Sequence, residues 1–244
     1  MAQHSNKVAL VTGANKGIGM EIARQLGMEG VTIVVGARDP GRGQAAAAAL
    51  VDAGVDACFV ELDVTDAASI AQAAAAIAAQ HGRLDILVNN AGINDAGDGP
   101  PASAHIDAVR RLFDTNFVGP LAVTQAMLPL LRAAPAARIV NMSSSLGSMA
   151  VNGDPSNPYY HARLIGYNAS KAALNMLTVQ LAEELRGTGI VVNAACPGYV
   201  ATDLNGHTGY LTPATGARTP VRLALLPDET VNGQFISAEG QVPW

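Results

Sequence analysis

Apolar and polar positions along this chain fall into two alternating rhythms. Short runs rich in β-branched and aliphatic residues are separated by longer Ala/Leu-rich stretches with apolar positions three and four apart. The short runs Lys7–Thr12, Val31–Val35, Cys58–Leu62, Leu84–Val88, Arg138–Met142, Ile190–Ala194 and Gln234–Ile236 predict strands. The stretches Met20–Glu29, Arg42–Ala53, Ala67–His81, Ile106–Leu131 and Tyr167–Arg186 predict helices. Gly54 stops the second, Asp66 and Gly82 bracket the third, and Pro120 and Pro129 mark kinks or ends in the fourth. Near-continuous apolar strands between helices suit a parallel sheet covered on both faces. The expected fold is therefore α/β, a doubly wound parallel sheet of about seven strands flanked by helices on both faces. The alanine runs Ala45–Ala49 and Ala73–Ala76 read as helix, because alanine is the best helix former.

Composition narrows this further. The 244 residues are 49% hydrophobic and 14% charged, which suits one globular domain over 1–244 and argues against disorder. With 15 basic and 20 acidic residues the net charge is −5, so no basic excess exists to hold a nucleic acid. Two cysteines, Cys58 and Cys196, cannot build a disulfide framework and fit a reducing compartment. Met1–Lys7 is short and polar, unlike a signal peptide, and no run of about 18 apolar residues suggests a membrane span. The expectation is a cytoplasmic protein with no membrane or nucleic-acid partner. The histidines, His4, His81, His105, His161 and His207, lack metal-ligand spacing, and no metal site is expected.

Candidate chemistry begins at Thr12-Gly13-Ala14-Asn15-Lys16-Gly17-Ile18-Gly19, between the first predicted strand and helix. The glycines let the backbone turn tightly and approach a pyrophosphate, while the helix N-terminus offers free N–H groups and a positive dipole end. A tight turn with no ligand would carry the same three glycines, but the strand–loop–helix setting is the one the phosphate-binding motif needs. Together with Asn89-Asn90-Ala91-Gly92 after the fourth strand, this segment resembles the short-chain dehydrogenase/reductase family, which implies a single Rossmann-type domain and a nicotinamide cofactor. Asn15-Lys16-Gly17-Ile18-Gly19, Ala37-Arg38-Asp39 and Gly233–Ser237 look most like the carbonyl-reductase-like members.

The resemblance also bears on which nicotinamide is bound. Family members that use NAD carry an acid where this chain has Ala37; here Arg38 follows and Lys16 stands in the glycine loop. Two cations suit a 2′-phosphate, which an arginine grips as a fork, so the resemblance implies NADPH/NADP. Asp39 is close enough in sequence to take a 2′-hydroxyl instead. The implied cofactor set is Gly13, Asn15, Lys16, Gly17, Ile18, Gly19, Arg38, Asp63, Val64, Asn90, Ala91, Gly92, Tyr167, Lys171, Pro197, Gly198, Val200 and Thr202, with Asp63 bordering the adenine.

Tyr167-Asn168-Ala169-Ser170-Lys171 places a phenol and an ammonium one helical turn apart. A free phenol titrates near 10, and a neighbouring ammonium lowers that value, making it a usable proton donor. A Tyr–Lys pair at this spacing is also a common accident on a helix surface. The family pattern adds Asn116 as holder of a relay water and Ser144, in Ser143-Ser144-Ser145-Leu146-Gly147, as the hydroxyl that orients a carbonyl. The implied catalytic set is Asn116, Ser144, Tyr167 and Lys171, and the implied reaction is reduction of a ketone or aldehyde to an alcohol. Cys196 has no histidine motif beside it and reads as a buried neutral thiol.

One departure stands out. The stretch between Ser144 and Tyr167 is longer than in most family members by roughly ten residues, a length more often functional than idle. The added segment, 147–163, contains Gly153, Pro155 and Pro158 and is expected to be loop with a helical turn beside the active site. It leaves monomer, dimer and tetramer all open. Leu204–Ala217, rich in Gly and Thr, reads as a substrate lid, and Ile93, Asn94, Leu146, Met149, Tyr199 and Leu204 are pocket candidates. A non-catalytic dinucleotide sensor would be favoured by loss of a catalytic residue, and all four are present. A reductase of carrier-bound 3-oxoacyl thioesters would need a basic patch that the sequence does not cluster near the site. Sugar epimerases and dehydratases generally carry a longer C-terminal substrate domain.

Overall fold

In a computed structural model, which describes residue 4 and residues 6–244, the strands are β1 (Val8–Thr12), β2 (Thr32–Ala37), β3 (Ala57–Glu61), β4 (Ile86–Asn89), β5 (Ala137–Met142), β6 (Ile190–Ala195), β7 (Phe235–Ser237) and β8 (Gly240–Gln241). They form one sheet in the order β3-β2-β1-β4-β5-β6-β7-β8. The expected seven strands are present and pair in parallel; the eighth, β8, turns back antiparallel through Ile236–Gln241 and Ser237–Gly240. Two polar residues at a sheet edge carry no apolar signal, so the sequence pattern passes over β8.

The helices are α1 (Gly17–Met28), α2 (Pro40–Asp52), α3 (Ala67–His81), α4 (Ile106–Phe113), α5 (Gly119–Ala133), α6 (Met149–Gly153), α7 (Ile165–Glu184), α8 (Pro213–Gly216) and α9 (Arg218–Ala224). Helix α2 begins two residues before its predicted start. Asp39 caps it, its Oδ1 accepting from the Arg42 N–H at 2.8 Å, and Pro40 occupies the first turn. The expected long helix 106–131 is divided: α4 and α5 are joined by a π-helical turn, Asp114–Val118. The division precedes Pro120, while Pro129 lies inside α5.

Side-chain alternation in the strands builds two cores. Ala9 and Val11 of β1 face Ile22, Leu26 and Leu50 of α1 and α2, while Val8 and Leu10 face Ile70 and Ile77 of α3 and Leu130 of α5. All five residues of β1 are buried, as a strand covered on both faces requires. Burying each such Val or Leu contributes about 1.5–3 kcal/mol relative to exposure. The chain reverses winding direction between β1 and β4, which are neighbours in the sheet but not in sequence. A crevice opens at the C-terminal ends of strands at such a switch point.

Candidate active site

The two glycine-bearing motifs meet at that crevice. The Thr12 hydroxyl, at the end of β1, accepts from the N–H groups of Asn90 at 3.0 Å and Ala91 at 2.9 Å. The Asn90 amide returns a bond to the Thr12 carbonyl at 2.9 Å. Gly13 turns with φ +64°, and a Cβ there would stand 3.0 Å from Ala91 Cα. A Cβ on Gly19 would meet Asn90 Nδ2 at 2.4 Å and the Gly13 carbonyl at 2.5 Å. The first residues of α1 have no side-chain cap, so their N–H groups are left for a ligand. An uncapped helix N-terminus behind a loop too tight for side chains fits a dinucleotide pyrophosphate.

Around this cradle the other predicted cofactor residues assemble. Thr202 Cγ2 would lie 3.6 Å from a Cβ on Gly17, so the segment after β6 reaches over the loop. Lys16 pairs with Asp203 at 2.5 Å, joining the same two segments. Arg38 is exposed at the end of β2, and its charge reaches Asp63 beyond the end of β3. Burial pushes the Asp63 carboxyl up, but hydrogen bonds from Thr65 and the Arg38 charge outweigh it and hold the group below its usual range. Asp39, the alternative partner for a ribose, holds its Oδ1 on the α2 cap. Val64 and Val200 are buried. Asn15 and Ile18 are part-buried in the loop, Gly92 lies near Asn116 and Lys171, and Pro197 and Gly198 follow β6.

The four predicted catalytic residues also converge. Asn116 is fully buried in the π-helical turn. Its Oδ1 accepts from Ile93 N–H at 2.8 Å, and its Nδ2 donates to the Ile93 carbonyl at 3.1 Å and Ser170 Oγ at 3.2 Å. The wider turn re-aims this side chain from α4–α5 towards α7, a frequent use of π-turns at functional sites. Ser144 lies two residues beyond β5 and caps a short 3₁₀ turn, Ser145–Gly147, accepting from Leu146 N–H at 3.2 Å. Tyr167 and Lys171 lie on one face of α7, with Lys171 Nζ 5.7 Å from the Tyr167 ring centre. Lys171 is only 5% exposed and donates to the Met142 carbonyl at 2.8 Å.

Electrostatics differ here from the sequence expectation. Burial pushes the Tyr167 phenol up to about 12, with Ser144 drawing it down and Cys196 adding to the rise. The expected lowering by Lys171 is not among the influences on Tyr167; desolvation sets the direction, and it also pulls Lys171 down to about 8. Cys196 is 5% exposed and burial raises its thiol, in keeping with a neutral buried residue. Among the described residues, no cluster of three or more His, Cys, Asp or Glu could hold a metal ion.

A residue the sequence reading passed over anchors this arrangement. Helix α7 has no side-chain cap of its own. Asp98, from the loop after β4, supplies one across 68 residues: Oδ1 accepts from Gly166 N–H and Oδ2 from Tyr167 N–H, both at 2.8 Å. Oδ1 also accepts from Gly99 N–H at 2.9 Å, which fixes the carboxylate in its own loop. Nothing local to Asp98 reveals which helix it serves.

The added segment contains α6 and three-residue turns around Asp154, in line with the expected loop and helical turn. Leu146 and Met149 line a cavity of about 210 Å³ with Ile165, Asn168, Ala169 and Ala172. Of these α7 positions, Ile165, Ala169 and Ala172 lie on the side of the helix away from Tyr167 and Lys171. Tyr199 and Leu204 are exposed.

This fold and site define a dinucleotide-binding oxidoreductase. The family model for short chain dehydrogenases matches residues 7–209. The chain is 35% identical to (+)-neomenthol dehydrogenase of Arabidopsis thaliana, covering 97% of this chain and 98% of that one. It is 36% identical to carbonyl reductase [NADPH] 1 of Sus scrofa, covering 98% and 95%. The NADPH-bound carbonyl reductase from chicken fatty liver superimposes with a TM-score of 0.86 at 32% identity, covering 99% of this chain and 100% of that one. The chain belongs to the short-chain dehydrogenase/reductase family and is similar to its carbonyl reductases. No helix among the described residues is long and apolar enough to cross a membrane.

Proposed function

We propose that this protein reduces a ketone or aldehyde to an alcohol with NADPH, Tyr167 giving the proton. The observation that carries this reading is the convergence of Asn116, Ser144, Tyr167 and Lys171 beside the uncapped α1 N-terminus. Lys16 and Arg38, with Ala37 in place of an acid, favour the 2′-phosphate form of the cofactor. NADPH, when bound, supplies the hydride for the carbonyl carbon.

This chain's residues do the rest. The neutral phenol of Tyr167, with its raised pKa, is fully protonated at neutral pH and so holds the proton the carbonyl oxygen needs. The Ser144 hydroxyl, on the rigid turn after β5, orients the carbonyl oxygen. Lys171, mostly charged below about 8, offsets the cost of leaving Tyr167 as phenolate. Asn116, through Ile93 and Ser170, fixes the backbone beside α7, where a relay water returns a proton to Tyr167.

The test is loss of NADPH absorbance against ketones, aldehydes, diketones and quinones, with NADH alongside and Tyr167→Phe as control. Turnover with NADPH that falls by a factor of about 10² or more in Tyr167→Phe is the expected result. NADPH binding without turnover on any carbonyl would remove the reductase reading, and a preference for NADH would remove the assignment of Lys16 and Arg38.

A further inference from the structure

Aromatic side chains are scarce here, with four Phe, one Trp and five Tyr in the chain. All five tyrosines and the tryptophan lie beyond residue 158. Three of the tyrosines form one contact chain between the added segment and the segment after β6. Tyr159, from the added segment, and Tyr210, from the lid, bring their hydroxyls to 3.1 Å. The Tyr210 ring meets the Tyr199 ring edge-on, centroids 6.0 Å apart at 66°. Tyr199 Oη in turn meets Thr208 Oγ1 at 2.5 Å.

Each end of this chain is anchored. Leu211 N–H donates to the Tyr199 carbonyl at 3.1 Å, and Ala201 N–H donates to the Leu211 carbonyl at 2.9 Å, so Tyr210 is tied to the segment after β6. On the other side, Tyr159 N–H donates to Asn157 Oδ1 at 2.9 Å. The neighbouring Tyr160 ring lies 4.1 Å beneath the Arg163 guanidinium. The Tyr159–Tyr210 contact is then a polar link between the added segment and the segment after β6.

Its place relative to the chemistry follows from the two segments it joins. The added segment lies between Ser144 and Tyr167 and is tied to α7 by Asn168 Nδ2, which donates to the Ala162 carbonyl at 2.9 Å, while Tyr199 and Tyr210 follow β6, whose Ala195 carbonyl accepts from Ser143 N–H at 2.8 Å. Burial and the bond to Tyr210 push the Tyr159 phenol up, so it is uncharged at neutral pH. The link joins the segment that follows Ser144 to the segment that follows Cys196, and Tyr210 itself is 73% exposed. A compact carbonyl can pass beneath such a link, whereas a bulky one needs it broken.

We propose that Tyr159 and Tyr210 form a hydroxyl clasp joining the added segment to the lid across the substrate mouth, and that this pair determines the size of carbonyl admitted to Tyr167. The assignment rests on the reductase reading. Tyr159→Phe and Tyr210→Phe keep both rings and delete the link. Matched probes are butane-2,3-dione and benzil, the same vicinal dicarbonyl bearing methyl or phenyl groups. Either variant should raise the benzil-to-butanedione ratio of kcat/KM roughly threefold to tenfold, the scale of one net hydrogen bond. The double variant should rise no further than a single one, because both delete the same link. Amide hydrogen exchange should quicken in the lid with Tyr159→Phe and in residues 154–163 with Tyr210→Phe. An active wild type whose ratio is unchanged in the variants, or whose two effects simply add, overturns the clasp alone. A wild type that reduces neither diketone, nor any carbonyl of the wider panel, overturns the reductase reading and the size assignment with it. In that case, reciprocal exchange changes would still establish the link between the segments.

Discussion

Replacing Asp98 by alanine removes the acceptor that holds the first turn of the catalytic helix. The carboxylate receives Gly166 N–H and Tyr167 N–H, each at 2.8 Å, from an element 68 or 69 residues away. A lost cap typically costs about 0.5–2 kcal/mol, and bonds to a charged group contribute about 1.5–3 kcal/mol. Asp98 is half-buried, so water replaces part of the loss, and about 2 kcal/mol is expected. For a chain of this size, about 2 kcal/mol lowers the melting temperature by roughly 4–8 °C. The activity effect is separate. Tyr167 sits in the turn that loosens, and misplacing a reacting group by about 1 Å costs roughly 100-fold. We expect kcat to fall about 10- to 100-fold in Asp98→Ala, with NADPH affinity, read by fluorescence titration, within about threefold of wild type. The cofactor cradle is built on β1 and α1, which Asp98 does not touch. Asp98→Asn, which keeps one acceptor oxygen, should lie between the two. A variant that melts early yet keeps its kcat within twofold would show that Asp98 fastens the loop without positioning Tyr167.

Two other substitutions test the site's physics. Lys171→Met should stabilise the protein at pH 7. The folded state holds the ammonium at about 8 against an ordinary 10.5, so between those values the unfolded chain binds more protons and wild-type stability rises with pH. The gain, about 3 kcal/mol near neutrality, should shrink towards pH 10 as read by urea melts, and a constant gain across that range would contradict a buried charge. Gly19→Ala should lose NADPH binding and lower the melting temperature, because its Cβ would press on the Gly13 carbonyl at 2.5 Å and Asn90 Nδ2 at 2.4 Å. A variant with wild-type affinity would mean that the loop moves aside freely.

How much of this was legible in the chain depends on distance. Strands such as β1 and β6, buried end to end, announce themselves as apolar runs. The Tyr167–Lys171 spacing and the Thr12–Gly19 loop are local, so their geometry is nearly contained in their spacing. Asp98 is not, because one aspartate among glycines and prolines reads as a turn until the fold places α7 against it. The π-helical turn at Asn116 falls inside the stretch 106–131, where the sequence predicts helix with kinks or ends at Pro120 and Pro129 and carries no mark of a wider turn at Asp114–Val118. Asp39 reads in the sequence as an alternative partner for a ribose hydroxyl, and its part in capping α2 shows only where its Oδ1 accepts from the Arg42 N–H. The pKa of Tyr167 was expected from its charged neighbour alone, whereas burial, which no short motif encodes, sets its direction.

The Thr12 hydroxyl has a bearing on how the chain matures. It joins β1 to a segment 78 residues onward, so neither half of the cofactor cradle exists until these distant stretches have paired. Closing so long a loop is slow compared with forming α1 or α3, whose contacts are local. Helical circular dichroism should therefore recover early in refolding, while capture of dinucleotide appears only with the β1–β4 pairing. The cofactor then acts as a reporter of completed topology, and an excess of it during refolding draws the population towards the finished fold without hastening its slowest step.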